Sequence, residues 1–127
     1  MNRKASTRRT EKNTPLNAMP LTDIKRRIRL IRAAAREAIA EVFVSLRTRN
    51  NLSQAQLAYA ARWPPTTVAD IEGKKRDLRL APFLRLLERL GADPYRVVDE
   101  ILEHPAVKSA MAGEPSAVAR NARRGDR

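Results

Sequence analysis

The sequence predicts an all-α protein in which a long N-terminal amphipathic helix leads into a compact bundle of about five short helices. Large apolar residues recur at spacings of three and four, which is the period of one helix face, and no alternating apolar run of the strand type occurs. The length of 127 residues allows one domain with its own core. We therefore expect one helical domain with polar tails.

The two ends of the chain are basic and poor in large apolar residues. Residues 1–20 also contain two prolines, so this segment cannot bury enough surface to offset the entropy cost of folding. We predict a disordered basic arm at 1–20 and a disordered basic tail at 113–127. Either tail could serve only to solubilise the protein.

Residues 21–50 are predicted to form a long basic amphipathic helix, as one helix or as two. Thr22 or Asp23 can cap its start, and no Pro or Gly interrupts it before Asn50. The apolar stripe of this segment consists of Ile24, Ile28, Ile31, Ala35, Ala38, Ile39, Val42, Phe43 and Leu46. The opposite face carries Lys25, Arg26, Arg27, Arg29, Arg32 and Arg36. A face of this kind is either simply solvated or follows a phosphate backbone.

Residues 51–112 form the predicted core of short helices. Capping residues, prolines and turn residues divide this region into helices at Ser53–Ala61, Pro65–Glu72, Ala81–Leu90, Pro94–Glu103 and His104–Ala112. Helices this short are stable only when they pack against one another.

The first two short helices are predicted to cross at a steep angle through a short turn. Leu57 faces inward from the first helix, Val68 and Ile71 face inward from the second, and Trp63 fills the turn as a core residue. Ala58 lies where the helices come closest, so a larger side chain there would hold them apart. We expect Tyr59 and Tyr95 to be half-buried.

This arrangement resembles the Cro and phage-repressor (XRE-type) helix-turn-helix family. The resemblance covers roughly residues 40–102 and implies a lambda-repressor-like fold with the DNA-binding core at 51–112. Arg62 stands where the family usually has a left-handed Gly, and the usual Gly after the second helix falls at Lys74, with Gly73 one position early. The matching residues are Leu52, Ser53, Gln54, Leu57, Ala58, Val68, Ile71, Glu72, Lys75, Arg76, Leu80, Leu84, Leu86, Leu87, Leu90 and Gly91.

The resemblance implies that the helix Pro65–Glu72 enters the major groove of double-stranded DNA and faces the base edges. Its base-edge candidates are Pro65, Thr66, Ala69 and Asp70, with Thr67 flanking them. Thr and Ala methyls can contact thymine methyls, whereas Asp70 either accepts from a cytosine amino group or pairs with a basic residue. Without Arg, Lys, Asn or Gln on this face, direct reading of sequence should be modest.

Backbone phosphates are expected to meet two elements. Ser53 and Gln54 begin a helix whose free amides attract a phosphate oxygen. The resemblance implies a second cluster in the loop after the recognition helix, made of Lys74, Lys75, Arg76 and Arg79. It also implies that Glu72 is structural and bonds near Arg47. Further non-specific contacts are expected from Arg3, Lys4, Arg8, Arg9, Lys25, Arg26 and Arg29.

A homodimer is expected because the family generally binds two half-sites about one helical turn apart. Two apolar surfaces are candidates for its interface, and the sequence does not choose between them. One is the stripe Ile24, Ile28, Ile31 and Ala35, and the other is the set Val97, Val98, Ile101 and Leu102.

The composition argues against several functional classes. No Cys is present, the single His104 is expected at a helix end, and no catalytic set, cofactor motif or metal-ligand cluster occurs, so we do not expect an enzyme. The chain has no apolar stretch of about 20 residues that could span a membrane and no secretory signal. We expect a cytoplasmic, nucleoid-associated protein.

The sequence therefore predicts a bacterial or phage transcription regulator that binds specific DNA sequences. Repression is preferred to activation because the family more often represses. One alternative is a protein-interaction regulator on the same fold, such as an antitoxin or antiactivator. Another is an architectural protein that binds DNA with little sequence preference.

Overall fold

The long basic segment forms one continuous helix, α1, at Leu21–Arg49. The structure is a computed structural model and describes residues 18–113. The prediction that Thr22 or Asp23 caps α1 is wrong, because the N-cap lies two or three residues earlier. Pro20 occupies the N-cap and its carbonyl accepts from the amides of Asp23 and Ile24, so Asp23 lies inside the first turn.

Five short helices follow α1: α2 at Gln54–Ala61, α3 at Pro65–Glu72, α4 at Leu80–Leu90, α5 at Pro94–Glu103 and α6 at Pro105–Met111. Proline stands in the first turn of α3, α5 and α6, where its fixed φ suits a helix start and its missing N–H is not needed. Within the described residues only helices and turns occur, which confirms the all-α prediction.

Aromatic stacking organises the main core. The Phe43 ring on α1 stacks on Trp63 at a centroid distance of 6.0 Å and on Phe83 of α4 at 5.6 Å. Around this stack lie the other fully buried large side chains, Leu57, Val68, Leu86 and Leu87. The second half of α1 is therefore an integral part of the domain core, and Trp63 packs into that core as predicted.

The helix α6 packs on α1 through small side chains. Ala34 and Ala38 of α1 meet Ala106, Val107 and Ala110 of α6 in a second buried cluster. This contact supports the middle portion of α1 from one side.

His104 lies between α5 and α6, where it acts as a helix cap. Its Nδ1 accepts from the amide of Ala106 at 3.1 Å, and its Nε2 bonds to the carboxylate of Glu41. The expectation of a helix-end histidine is confirmed. In the described part of the chain, no helix is long and apolar enough to cross a membrane.

Candidate nucleic-acid interface

The turn between α2 and α3 depends on a left-handed residue that is not glycine. Arg62, at the position where the resemblance has a left-handed Gly, has φ 58° and ψ 41°. The amide of Trp63 donates to the Ala58 carbonyl at 2.9 Å, which closes the end of α2 and sends the chain into α3. A Cβ in this conformation costs about 1–2 kcal/mol.

The end of α3 uses a second non-glycine residue in the same conformation. Lys74 has φ 62°, whereas Gly73 has φ −84°, a value that any residue adopts. The amide of Lys75 donates to the Asp70 carbonyl at 2.8 Å and so closes the turn. The left-handed position thus falls where the family usually has Gly, and Gly73 does not replace it.

One face of α3 seats the helix in the core and the other is open to solvent. Val68 and Ile71 are buried. Pro65, Thr66 and Ala69 are exposed, and Asp70 is partly exposed. The structure therefore presents these four base-edge candidates together on the outer side of α3.

Thr67 does not belong to this outer face, and its prediction as a base-edge residue is wrong. Its relative exposure is 6%, because it lies on the side of α3 that turns toward the loop before α4. Its hydroxyl accepts from Arg76 Nη1 at 3.1 Å. Thr67 lies one turn before Ile71, at the margin of the buried face of α3. Its burial follows from the loop before α4, which folds back against this margin.

Arg76 is held along the edge of α3. Besides its bond to Thr67, its Nη2 lies 3.8 Å from Asp70 Oδ2. Asp70 therefore has a basic neighbour. This agrees with the second of the two interpretations from the sequence, in which Asp70 pairs with a basic residue. The guanidinium stays about half exposed beside the outer face of α3, so it has donors left for a further hydrogen-bond acceptor.

The start of α2 is fixed by a reciprocal cap. The Ser53 hydroxyl accepts from the amide of Gln56 at 3.1 Å, and the Gln56 side chain accepts from the amide of Ser53 at 2.8 Å. The first helical hydrogen bond is made by Leu57 to the Ser53 carbonyl. The amides of Gln54 and Ala55 consequently have no acceptor within the helix and can receive an anion.

A polar network ties the start of α2 to the end of α3. Glu72 accepts from Arg47 Nε at 2.9 Å and Nη2 at 3.1 Å, and from the Gln54 side chain at 2.9 Å. The Gln54 side chain is thus committed to a neighbouring carboxylate, which leaves the backbone amides at the start of α2 as the predicted phosphate-binding groups. The structural role of Glu72 is confirmed.

The same network affects the charge of Arg47. The hydrogen bond that Arg47 donates to Glu72 raises the pKa of Arg47 above its ordinary value, and this effect outweighs the opposing effect of burial. Because the Glu72 carboxylate at the end of α3 accepts from both α1 and α2, it holds the end of α3 and the start of α2 in a fixed relative position.

The loop after α3 carries the other predicted phosphate ligands. Lys74, Lys75 and Arg79 are exposed. Arg76 and Arg79 line a groove of about 610 Å³ that Trp63 and Arg85 also line. Sequence reasoning missed Arg85 because it belongs to α4, although its position one turn after the start of α4 brings it back toward this loop.

The basic residues of α1 fall into two groups. Lys25, Arg26 and Arg29 are exposed. Arg36 Nε, in contrast, bonds to Asp77 at 2.8 Å, and Arg32 Nε lies 3.5 Å from the same carboxylate. The predicted contacts Arg3, Lys4, Arg8 and Arg9 lie outside the described residues.

The prediction that two tyrosines are half-buried is wrong. Tyr59 is 85% exposed and Tyr95 is 83% exposed, so neither is half-buried. Tyr59 lies on the outer side of α2, and Tyr95 lies at the start of α5. Aromatic character alone therefore did not indicate burial.

The chain was compared with known proteins. No protein-family profile matches it, and no curated protein matches it. Among solved structures, it is similar to a mutant of the restriction-modification controller protein C.Esp1396I, with 22% sequence identity and a TM-score of 0.47. The aligned region covers 55% of this chain and 94% of that chain.

Proposed function

We propose that this chain is a DNA-binding transcription regulator that inserts α3 into the major groove of duplex DNA. The observation that carries the proposal is the environment of α3. The capped start of α2 is joined to the C-terminal end of α3 by the hydrogen bond between Gln54 and Glu72. The basic loop is joined to the edge of α3 by the hydrogen bond between Arg76 and Thr67. A groove-sized helix is thus flanked on two sides by elements suited to phosphate.

The dimensions and chemistry of α3 support this proposal. An α-helix with its side chains is about 10–12 Å in diameter, which fits a major groove about 12 Å wide, and the 8 residues of α3 make a rod about 12 Å long. The exposed Thr66 and Ala69 offer methyl groups to thymine, and Thr66 also offers a hydroxyl. Since none of the outer residues makes a bidentate base contact, we propose modest direct reading, with much of the affinity coming from phosphates.

We propose that the active form is a homodimer that contacts its partner through α5. Tyr95, Val98 and Leu102 follow one another at i, i+3 and i+7, and Tyr95 and Leu102 are exposed. Val97, in contrast, is buried in the core of its own chain. Arg96 and Asp99 lie near the stripe, so its margin carries both signs of charge and suits contact with an identical surface.

Repression remains the preferred sign of regulation, because the family that the sequence resembles more often represses. We propose that the protein acts in the cytoplasm, associated with the nucleoid. Exposure of Lys25, Arg26 and Arg29 on α1 favours one second candidate, an architectural protein that binds duplexes of any sequence.

The test is a selection from a random duplex library, followed by a footprint on the DNA upstream of the protein's own coding sequence. We expect the selection to enrich a palindromic sequence. We also expect the footprint to show that the protein protects this palindrome upstream of its own coding sequence. Thr66→Ala should reduce the preference for that site by about tenfold, in line with about 1–3 kcal/mol per base contact, and leave binding to random duplex unchanged. Thr22→Ala, an exposed threonine on α1, is the matched control.

Each outcome of this experiment separates the candidates. Steeply salt-dependent binding without any enriched sequence would select the architectural role. An equal loss for all duplexes in Thr66→Ala would remove α3 as the reading element. Absence of duplex binding would refute both roles.

A further inference from the structure

The first half of α1 carries an apolar seam that the domain leaves open. The seam consists of Leu21, Ile24, Ile28, Ile31 and Ala35, whose spacings alternate between three and four. Leu21 is 64% exposed, Ile28 is 53% exposed and Ile31 is 37% exposed. Such a spacing is the a and d pattern by which one helix packs along another.

The shape of this surface suits a helix. Ile28, Ile31 and Ala35 line a groove of about 340 Å³, to which Leu78 and Asp77 of the loop before α4 contribute. No residue of the neighbouring helix α6 lines this groove, although α6 packs beside the seam on Ala34 and Ala38. The seam therefore has an apolar floor and a wall along one side.

The charges beside the seam are all of one sign at its flanking heptad positions. With Leu21 and Ile28 at a positions, Lys25 and Arg32 occupy e positions and Arg27 occupies a g position. Arg36 and Arg32 share the single carboxylate of Asp77, so this pairing leaves a positive excess at the rim. In helix pairs, these flanking charges determine which partner is accepted.

The positive rim argues against occupants from the protein itself. A second copy would bring Lys25, Arg27 and Arg32 against the same residues of its own seam, in either helix direction. The segments outside the described residues are also basic: residues 1–17 contain five basic residues and one acidic residue, and residues 114–127 contain four and two. The margin of the α5 stripe, by contrast, carries both signs.

We infer that the α1 seam docks an amphipathic helix of a different protein, one whose apolar stripe is flanked by Asp and Glu. The floor supplies the apolar contact, and the rim residues Lys25, Arg27 and Arg32 supply complementary charge. This surface lies on α1 and does not include the outer face of α3. The inference goes beyond DNA binding and does not require it.

The test measures binding of a designed peptide to the full-length protein by fluorescence polarisation. The probe is a labelled 21-residue helical peptide with Leu and Ile at a and d positions and Glu at e and g positions. A second peptide keeps the apolar residues and replaces every Glu by Lys. We expect the acidic peptide to bind at least tenfold more tightly than the basic one, and its affinity to fall as salt rises.

Variants of exposed residues locate the binding surface. Ile28→Ser should weaken the acidic peptide at least tenfold, whereas Leu84→Ser, an exposed apolar residue on α4, should change it less than twofold. Lys25→Glu should reduce the preference for the acidic peptide. Thermal unfolding should stay unchanged in all three variants because these side chains are exposed, and duplex affinity in Ile28→Ser should match the parent protein.

Several results would overturn the inference. The inference fails if the acidic peptide does not bind, or if both peptides bind equally well. It also fails if Leu84→Ser loses as much affinity for the acidic peptide as Ile28→Ser does. A smaller assembly of Ile28→Ser in sedimentation would identify a second copy as the occupant. Binding to phosphatidylserine vesicles that is lost in Ile28→Ser, without peptide binding, would identify an anionic lipid surface.

Discussion

Replacing Arg62 by Gly should stabilise the protein, because it removes a Cβ from the left-handed turn between α2 and α3. The conformation at φ 58° costs a side-chain-bearing residue about 1–2 kcal/mol. Glycine also gains conformational entropy in the unfolded chain, which offsets about 0.5–1 kcal/mol of that relief. The expected net increase in the free energy of unfolding is about 0.5–1 kcal/mol, or about 2–8 °C in melting temperature.

Circular dichroism at 222 nm during heating and urea titration measures this change. Arg62→Ala is the matched control, because it removes the same guanidinium and stem but keeps the strained Cβ. We expect the Gly variant to melt above the Ala variant, and the two to bind duplex DNA equally. If Arg62→Gly were no more stable than Arg62→Ala, the proposed strain at this turn would be refuted.

Other changes test the packing and the interface. Ala58→Leu should lower the free energy of unfolding by about 1–3 kcal/mol in urea titration, because this buried position has no room for a larger side chain; an unchanged midpoint would contradict close helix contact. Glu72→Gln should lower both melting temperature and duplex affinity, since it weakens the partner of Arg47; loss of affinity alone would mean a direct DNA contact. Lys75→Gln should reduce the slope of log affinity against log salt by about 0.9, while Arg89→Gln on α4 should not; equal slopes would exclude Lys75 from phosphate binding.

The sequence predicted the helices well because capping and turn chemistry are local. Helices begin at or next to Ser53, Pro65 and Pro94, and the residues that favour these starts lie close together in sequence. The predicted ranges of α3 and α5 agree with the structure. The start of α1 was placed too late for the same reason. Sequence rules favour a side-chain cap at Thr22 or Asp23, whereas here the Pro20 carbonyl begins the helix.

The site was predictable only where its residues lie near one another in sequence or follow a family position. The outer face of α3 follows from the helical period, but the burial of Thr67 depends on how the loop before α4 folds back. Likewise, the pairing of Gln54 with Glu72 joins residues 18 positions apart. Neither contact leaves a mark on composition or spacing.

These contacts have a consequence for how specificity could arise. If α3 enters the groove as proposed, the lack of a bidentate reader on its outer face makes discrimination between sites depend on how accurately the neighbouring elements hold the helix. Glu72 fixes the start of α2 against α3, and Thr67 fixes Arg76 against its edge. Arg76 is the guanidinium of the loop that is bonded to α3 itself, so in the proposed complex it would contact DNA with less entropy cost than a free side chain. Loosening either anchor should consequently reduce discrimination more than total affinity, whereas removing a free lysine of the same loop should do the reverse.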